Sequence, residues 1–270
     1  MNEENTVEIV KEVAVEVAKE AYKDGGKAVV QPTGELLGLL PRVIKAALAP
    51  VEKWVLQQEY SVSETKKLLE EKLKNVPQEM IETPEPHIAV PALQYISYCM
   101  DNDELRNMYA NLLASSMVSV VKKGVHPGFV EIIKQLCPDE ARILRYFSTN
   151  KTIPTVTVRY ERESKGGIDV IKNFSNVGEL VGCEMTLEIN KYFDNMIRLG
   201  LIVASPVMSS LTNKELYEPL KNHPFILANI ERIKDEDVHS KGYVKADIIE
   251  GYLSLTDYGV AFCNICIAGI

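Results

Sequence analysis

Long apolar runs are missing from this 270-residue chain: no stretch reaches the roughly 18 consecutive apolar residues that a membrane-spanning helix needs. Cysteine is scarce, five residues spread widely and odd in number, which argues against a disulfide framework and suits a reducing compartment. Cationic excess is absent too. Thirty Lys and Arg stand against 38 Asp and Glu, a formal net charge of -8, so gripping nucleic acid is not the main task, although a local basic patch is still allowed. There is no phosphate-cradling glycine loop, since Gly25-Gly26-Lys27 lacks the flanking Gly and the following Ser or Thr. The opening MNEENTVEIVKEV lacks the basic start and apolar run of a secretory signal, so a cytoplasmic location is expected.

What remains is an ordinary globular composition, 46% hydrophobic and 25% charged, in a chain long enough for one large core or two modest ones. The pattern predicts a mainly α protein with a small β component. Residues 1–76 read as a helical arm, 77–90 as a proline-rich connector, 91–148 as a central helical module and 149–270 as a winged-helix-like α+β domain.

In the arm, Val10, Val13, Ala14 and Val17 recur at helical spacing over residues 4–22. The segment that follows is rich in Leu, Val and Ala and carries the single tryptophan, Trp54. Pro32, Pro41 and Pro50 break it into short or kinked helices. Two readings stay open for it: a set of core helices, or a segment lying in a membrane interface or against a partner through Leu36, Leu37, Leu40, Ile44, Leu48 and Trp54. Residues 63–75 predict a solvated helix with Glu and Lys at pair spacing. Pro77, Pro84, Pro86 and Pro91 predict an extended crossing rather than a helix.

Beyond the connector, Asp101 with Glu104 three residues later resembles a capping box, and Leu105, Met108, Leu112 and Leu113 share one face of the helix that follows. Lys122-Lys123-Gly124 is expected to close it. Two more helices start at Pro127 and Pro138. After Thr149 the chain changes period, and IPTVTVRY alternates like a strand. A helix from Leu187 to Leu199, the strand GLIVASPV, an insertion between Val207 and Ile248, the strand GYLSLTDYG and a terminal helix then follow, the last capped by Thr256 or Asp257. That is the order of a winged helix with an enlarged wing.

The stretch EPHIAVPALQYISYCMDNDELRNMYANLLASSM, followed by VHPGFVEIIKQLCPDEARIL, resembles the signature region of the Abi-alpha family of bacterial abortive-infection proteins. The elements that carry the resemblance are Pro91, Asp103-Glu104-Leu105, Tyr109 to Ala114, His126 to Ile133 and Pro138 to Ala141, with Leu255 to Cys263 near the end. The resemblance implies defence against bacteriophage and brings no catalytic residues with it.

No residue cluster assembles catalytic or metal chemistry, and no cofactor is expected. Cys263-Asn264-Ile265-Cys266 is a lone pair on an apolar helix, read as buried hydrophobes. His126 is read as closing a turn and Asn111 as a packing amide, and Asp101, Asp103 and Glu104 as carboxylates placed on a helix dipole. On the winged-helix-like domain, Arg159, Arg162, Lys191 and Arg198 are the candidate nucleic-acid or partner contacts. Glu184, Glu188 and Asp194 beside the latter two favour a protein partner. The leading expectation is a non-enzymatic phage-defence protein, with a winged-helix adaptor or nucleic-acid-binding regulator as the alternative. Four partners stay open: a phage or host protein, the periphery of the inner membrane, nucleic acid with less support, and a second copy of the chain.

Overall fold

The computed structural model describes residues 64–164, 166–206 and 209–270. The helix read at 4–22 and the Leu36–Trp54 segment lie outside the described residues. Residues 64–73 are helical, with Lys67 paired to Glu64 and Lys66 facing Glu70, as the spacing predicts. Among the described residues, no helix is long and apolar enough to cross a membrane.

The extended connector is shorter than its prolines suggest. Ile81 forms a single antiparallel bridge with Val118, and the helix α1, Pro86–Ile96, begins inside the predicted crossing. Pro86 takes the first turn, where its missing N–H costs nothing. Pro91 sits within the helix, its lost hydrogen bond offset by burial of Ile88, Ala89, Ala92 and Ile96.

Helix α2, Asp103–Met117, is capped by Asn102, whose side chain accepts from Leu105 N at 3.0 Å. The cap is therefore one residue later than Asp101. The helix also ends five residues before Lys122, because Val118 turns extended to make the bridge to Ile81. Lys122 instead fastens the connector, pairing with Glu85 at 3.2 Å and Glu82 at 3.7 Å. Short α3, Gly128–Lys134, buries Phe129, Ile132 and Ile133. Next, α4, Pro138–Asn150, opens with Glu140 accepting from Cys137 N at 2.7 Å. It ends at Lys151, whose φ of 59° is a conformation usually given to glycine and costs an L-residue about 1 kcal/mol.

Four antiparallel strands follow in the sheet order β2-β1-β4-β3: β1 Thr152–Arg162, β2 Gly167–Phe174, β3 Ile202–Ala204 and β4 Tyr243–Leu255. On β1, Ile153, Val156, Val158 and Tyr160 are buried. Between β2 and β3 lie α5, Val177–Leu180, and α6, Ile189–Arg198. The strand read at GYLSLTDYG begins eight residues earlier, at Tyr243, and β2 has no counterpart in the sequence reading. The insertion before β4 is helical, with α7 Glu218–Lys221, α8 Pro224–Glu231 and α9 Glu236–His239. Tyr217 ties it to the sheet by donating to Gly251 O at 2.9 Å.

The chain closes with α10, Asp257–Phe262, capped by Thr256, and a π-helical segment, Cys263–Ala268. That segment belongs to the helical module as much as to the sheet. Cys263 and Cys266 are buried in one continuous core that runs from Ile88 through Phe129, Ile143, Phe193 and Leu253. Phe129 meets Phe262 edge to face at 5.3 Å, and each such buried ring contributes on the order of 2 kcal/mol.

Candidate partner-binding face

Pro138-Asp139-Glu140-Ala141 sets the geometry of the face. Its two carboxylates are buried, at 4% and 3% exposure, at the start of α4. Asp139 accepts from Tyr192 OH at 2.7 Å, from Glu184 N at 2.9 Å and from Arg142 at 2.5 Å. Glu140 accepts from Asn195 Nδ2 at 2.8 Å as well as from Cys137 N. Burial pushes the Glu140 carboxyl up from its ordinary range, against the pull of these bonds. A buried acid with both of its oxygens hydrogen-bonded is a strut. This one clamps α4 to α6 and fixes the turn before α6.

The end of α5 and that turn hold three large apolar side chains out in solvent: Leu180 at 62%, Met185 at 49% and Leu187 at 50% exposure. Beside it a groove of about 390 Å³ is lined by Glu104, Arg142, Arg145, Tyr146, Thr149 and Val181. Arg145 reaches across it to Glu104, and Arg142 donates to Gly182 O at 3.3 Å. Local charge is therefore nearly balanced, and apolar area is what the turn offers.

The four cations expected at the contact face are each engaged inside the chain. Lys191 pairs with Glu188. Arg198 donates to Gln135 Oε1 at 3.0 Å and to Asn195 Oδ1 at 2.6 Å. Arg159 pairs with Asp169 at 2.7 Å. Arg162 covers the Tyr243 ring at 4.8 Å and donates to its hydroxyl at 3.1 Å. No partner is shared between the strand pair and the helix pair. The exposed apolar residues of the turn were missed by sequence reasoning; the signal available was three large apolar residues interleaved with Glu179, Glu184 and Glu188.

The other singled-out residues are structural. His126 Nδ1 accepts from Gly128 N at 3.0 Å, with Tyr258 OH at 3.3 Å, closing the turn before α3. Asn111 is buried and bonded to backbone. Cys263 is buried, its thiol pushed up to about 12 by desolvation, and no group of three or more His, Cys, Asp or Glu among the described residues could hold a metal ion.

Taken together these features define a mainly helical protein with a small antiparallel sheet and an apolar turn, hydrogen-bonded to Asp139, on its surface. The chain belongs to the abortive infection alpha family, whose match spans residues 57–266. No curated protein matches it. The solved structure of the uncharacterized protein from the hydrocarbon-degrading marine bacterium Alcanivorax borkumensis SK2 is similar at 19% identity, covering 51% of this chain and 90% of that one. The TM-score of that match is 0.34.

Proposed function

We propose that this chain is a bacterial, non-enzymatic anti-phage defence protein of the abortive-infection type that acts by binding a phage or host protein. Family membership supports the defence role. The observation that carries the mode of action is the apolar surface before α6: Leu180, Met185 and Leu187 are exposed, while the exposed cations beside them, Lys191 and Arg198, are paired with Glu188 and with Gln135 and Asn195. Apolar side chains in solvent are the material of a protein interface. A helix that reads DNA instead presents free Arg, Lys, Asn or Gln to it.

The sheet supports a winged-helix-like reading of the C-terminal part. The chain order α4, β1, α5, α6, β3, β4 with strand order β1-β4-β3 is the winged-helix order, β2 being an added edge strand and α7 to α9 occupying the wing. In that frame α6 takes the place of the recognition helix, put to use on protein. The Leu36–Trp54 segment keeps peripheral contact with the inner membrane as a second reading, on its sequence alone.

The test is survival of bacteria expressing the full chain when challenged with a phage panel at low and high dose. Protection at low dose with culture collapse at high dose is the expected result. Protection at both doses would instead indicate direct interference without cell loss, and no effect from any phage, with the protein well expressed, would remove the reading.

A further inference from the structure

A second cavity, of about 310 Å³, lies where the end of α4, the start of β1, the end of β4 and the last helix meet. Its polar lining comes from Ser148, Lys151, Thr152, Ser254 and Asn264, and its apolar wall from Leu255, Val260 and Cys263. No carboxylate lines it, in a chain where acids outnumber bases. Thr152 and Ser254 sit opposite each other on β1 and β4, so their positions are fixed by the sheet register.

These groups are unused. Among the described residues, the side chains of Lys151, Thr152, Ser254 and Asn264 make no hydrogen bond or ion pair. That contrasts with Lys191, Lys214 and Lys221, each paired with a carboxylate. Lys151 is also held at φ 59°, where glycine would be relaxed, and strained backbone at the rim of a cavity is a mark of functional sites. Exposed Lys151 and Asn264 and half-buried Thr152 and Ser254 thus line one cavity beside an apolar wall, and a cation, two hydroxyls and an amide without a partner in the chain are the elements of a small-ligand site.

We propose that this pocket binds a small organic acid, with its carboxylate or phosphate on Lys151. The Thr152 and Ser254 hydroxyls and the Asn264 amide donate to the same anionic group, and Leu255 and Val260 cover the apolar remainder. At the ~30 Å³ that one water occupies in the liquid, the cavity holds roughly ten non-hydrogen atoms, about the size of a benzene ring bearing one acid group. The site is separate from the partner-binding face: Ser148 faces this cavity, whereas Arg142, Arg145, Tyr146 and Thr149 on the same helix line the groove.

The test uses the isotope-labelled full chain titrated separately with phenyl phosphate and with benzoate, following amide shifts at Thr152, Ser254 and Asn264. Saturable shifts centred on those residues are expected with at least one probe, and the probe that binds names the acid group. Lys151→Gly removes the cation while relieving its backbone, so it should melt at or above the wild-type temperature and bind about tenfold or more weakly. Lys151→Met serves as a second variant should the glycine loosen the helix end. The proposal is overturned if neither probe gives saturable shifts, or if folded Lys151 variants bind as tightly as the wild type.

Discussion

Asn111 on α2 donates from Nδ2 to the carbonyls of Cys266 and Ile267, at 3.0 and 3.1 Å, across 155 residues of sequence. A π-helical turn displaces its carbonyls from the regular helical ladder, and here a buried amide and Ser115, 3.4 Å from Ile265 O, supply the donors. A Cβ at Gly269, whose φ is 71°, would collide with the same amide. The tail of the chain is thus part of the helical module's core.

Asn111→Ala should leave the buried Cys266 carbonyl and the part-buried Ile267 carbonyl without this donor. We expect a loss of about 2–3 kcal/mol in equilibrium urea unfolding, and faster proteolysis of the last ten or so residues. A loss below about 0.5 kcal/mol would show that the tail does not depend on this amide.

Asp139 is the strut between α4 and α6. Asp139→Ala would orphan Tyr192 OH and Glu184 N and free Arg142 from its buried partner, which should cost about 3 kcal/mol or more. Tyr192→Phe removes a single bond and should cost about 1 kcal/mol. Thermal melts of the two variants check the order; equal effects would contradict the clamp.

How much of this was legible beforehand follows from the range of the forces involved. The helices with caps and clean apolar spacing, such as α2 and α4, could be read because their signals are local. The end of α2 could not be, because the bridge between Val118 and Ile81 decides it from 37 positions away. Helix α1 was hidden by its own prolines, which long-range burial of Ile88 and Ile96 overrides. The roles of His126, Asn111 and the Cys263–Cys266 pair were legible from residue type and spacing. The exposure of Leu180, Met185 and Leu187 was not, since an apolar residue's sequence context does not say whether anything covers it.

Two carboxylates should titrate stability in opposite senses. Lys214 and Lys221 hold Glu250 below its ordinary value, so its contribution is present above about pH 4.5 and is lost as pH falls through the lower, folded value. Glu250→Gln should therefore cost up to about 1 kcal/mol near neutrality and less in acid. Burial holds Glu140 above its ordinary value, so its contribution is complete below about pH 4.5 and is lost as pH rises through the folded value. Unfolding curves for Glu250→Gln and for Glu140→Gln from acid to neutral pH, compared with wild type, read the two slopes; slopes of the same sign would contradict the assignment.

Gly259 allows α10 to cross β3's entry at backbone contact. A Cβ there would collide with the Leu201 carbonyl, which accepts from Thr256 N at 3.0 Å. Gly259→Ala should cost about 3 kcal/mol or more by forcing backbone to move. The measurement is the melting temperature, and a change of less than about 2 °C would mean that the helix shifts freely.

The most direct test of the account compares phage protection by two surface variants of the full chain, each first shown to melt like the wild type. One is Leu180→Ser/Met185→Ser/Leu187→Ser, which removes the apolar turn; the other is Lys191→Glu/Arg198→Glu, which reverses the cations of α6. The account predicts that the first abolishes protection and the second leaves most of it. Full protection by the triple variant, with protection lost on charge reversal, would contradict it and transfer the function to the charged face of the helix.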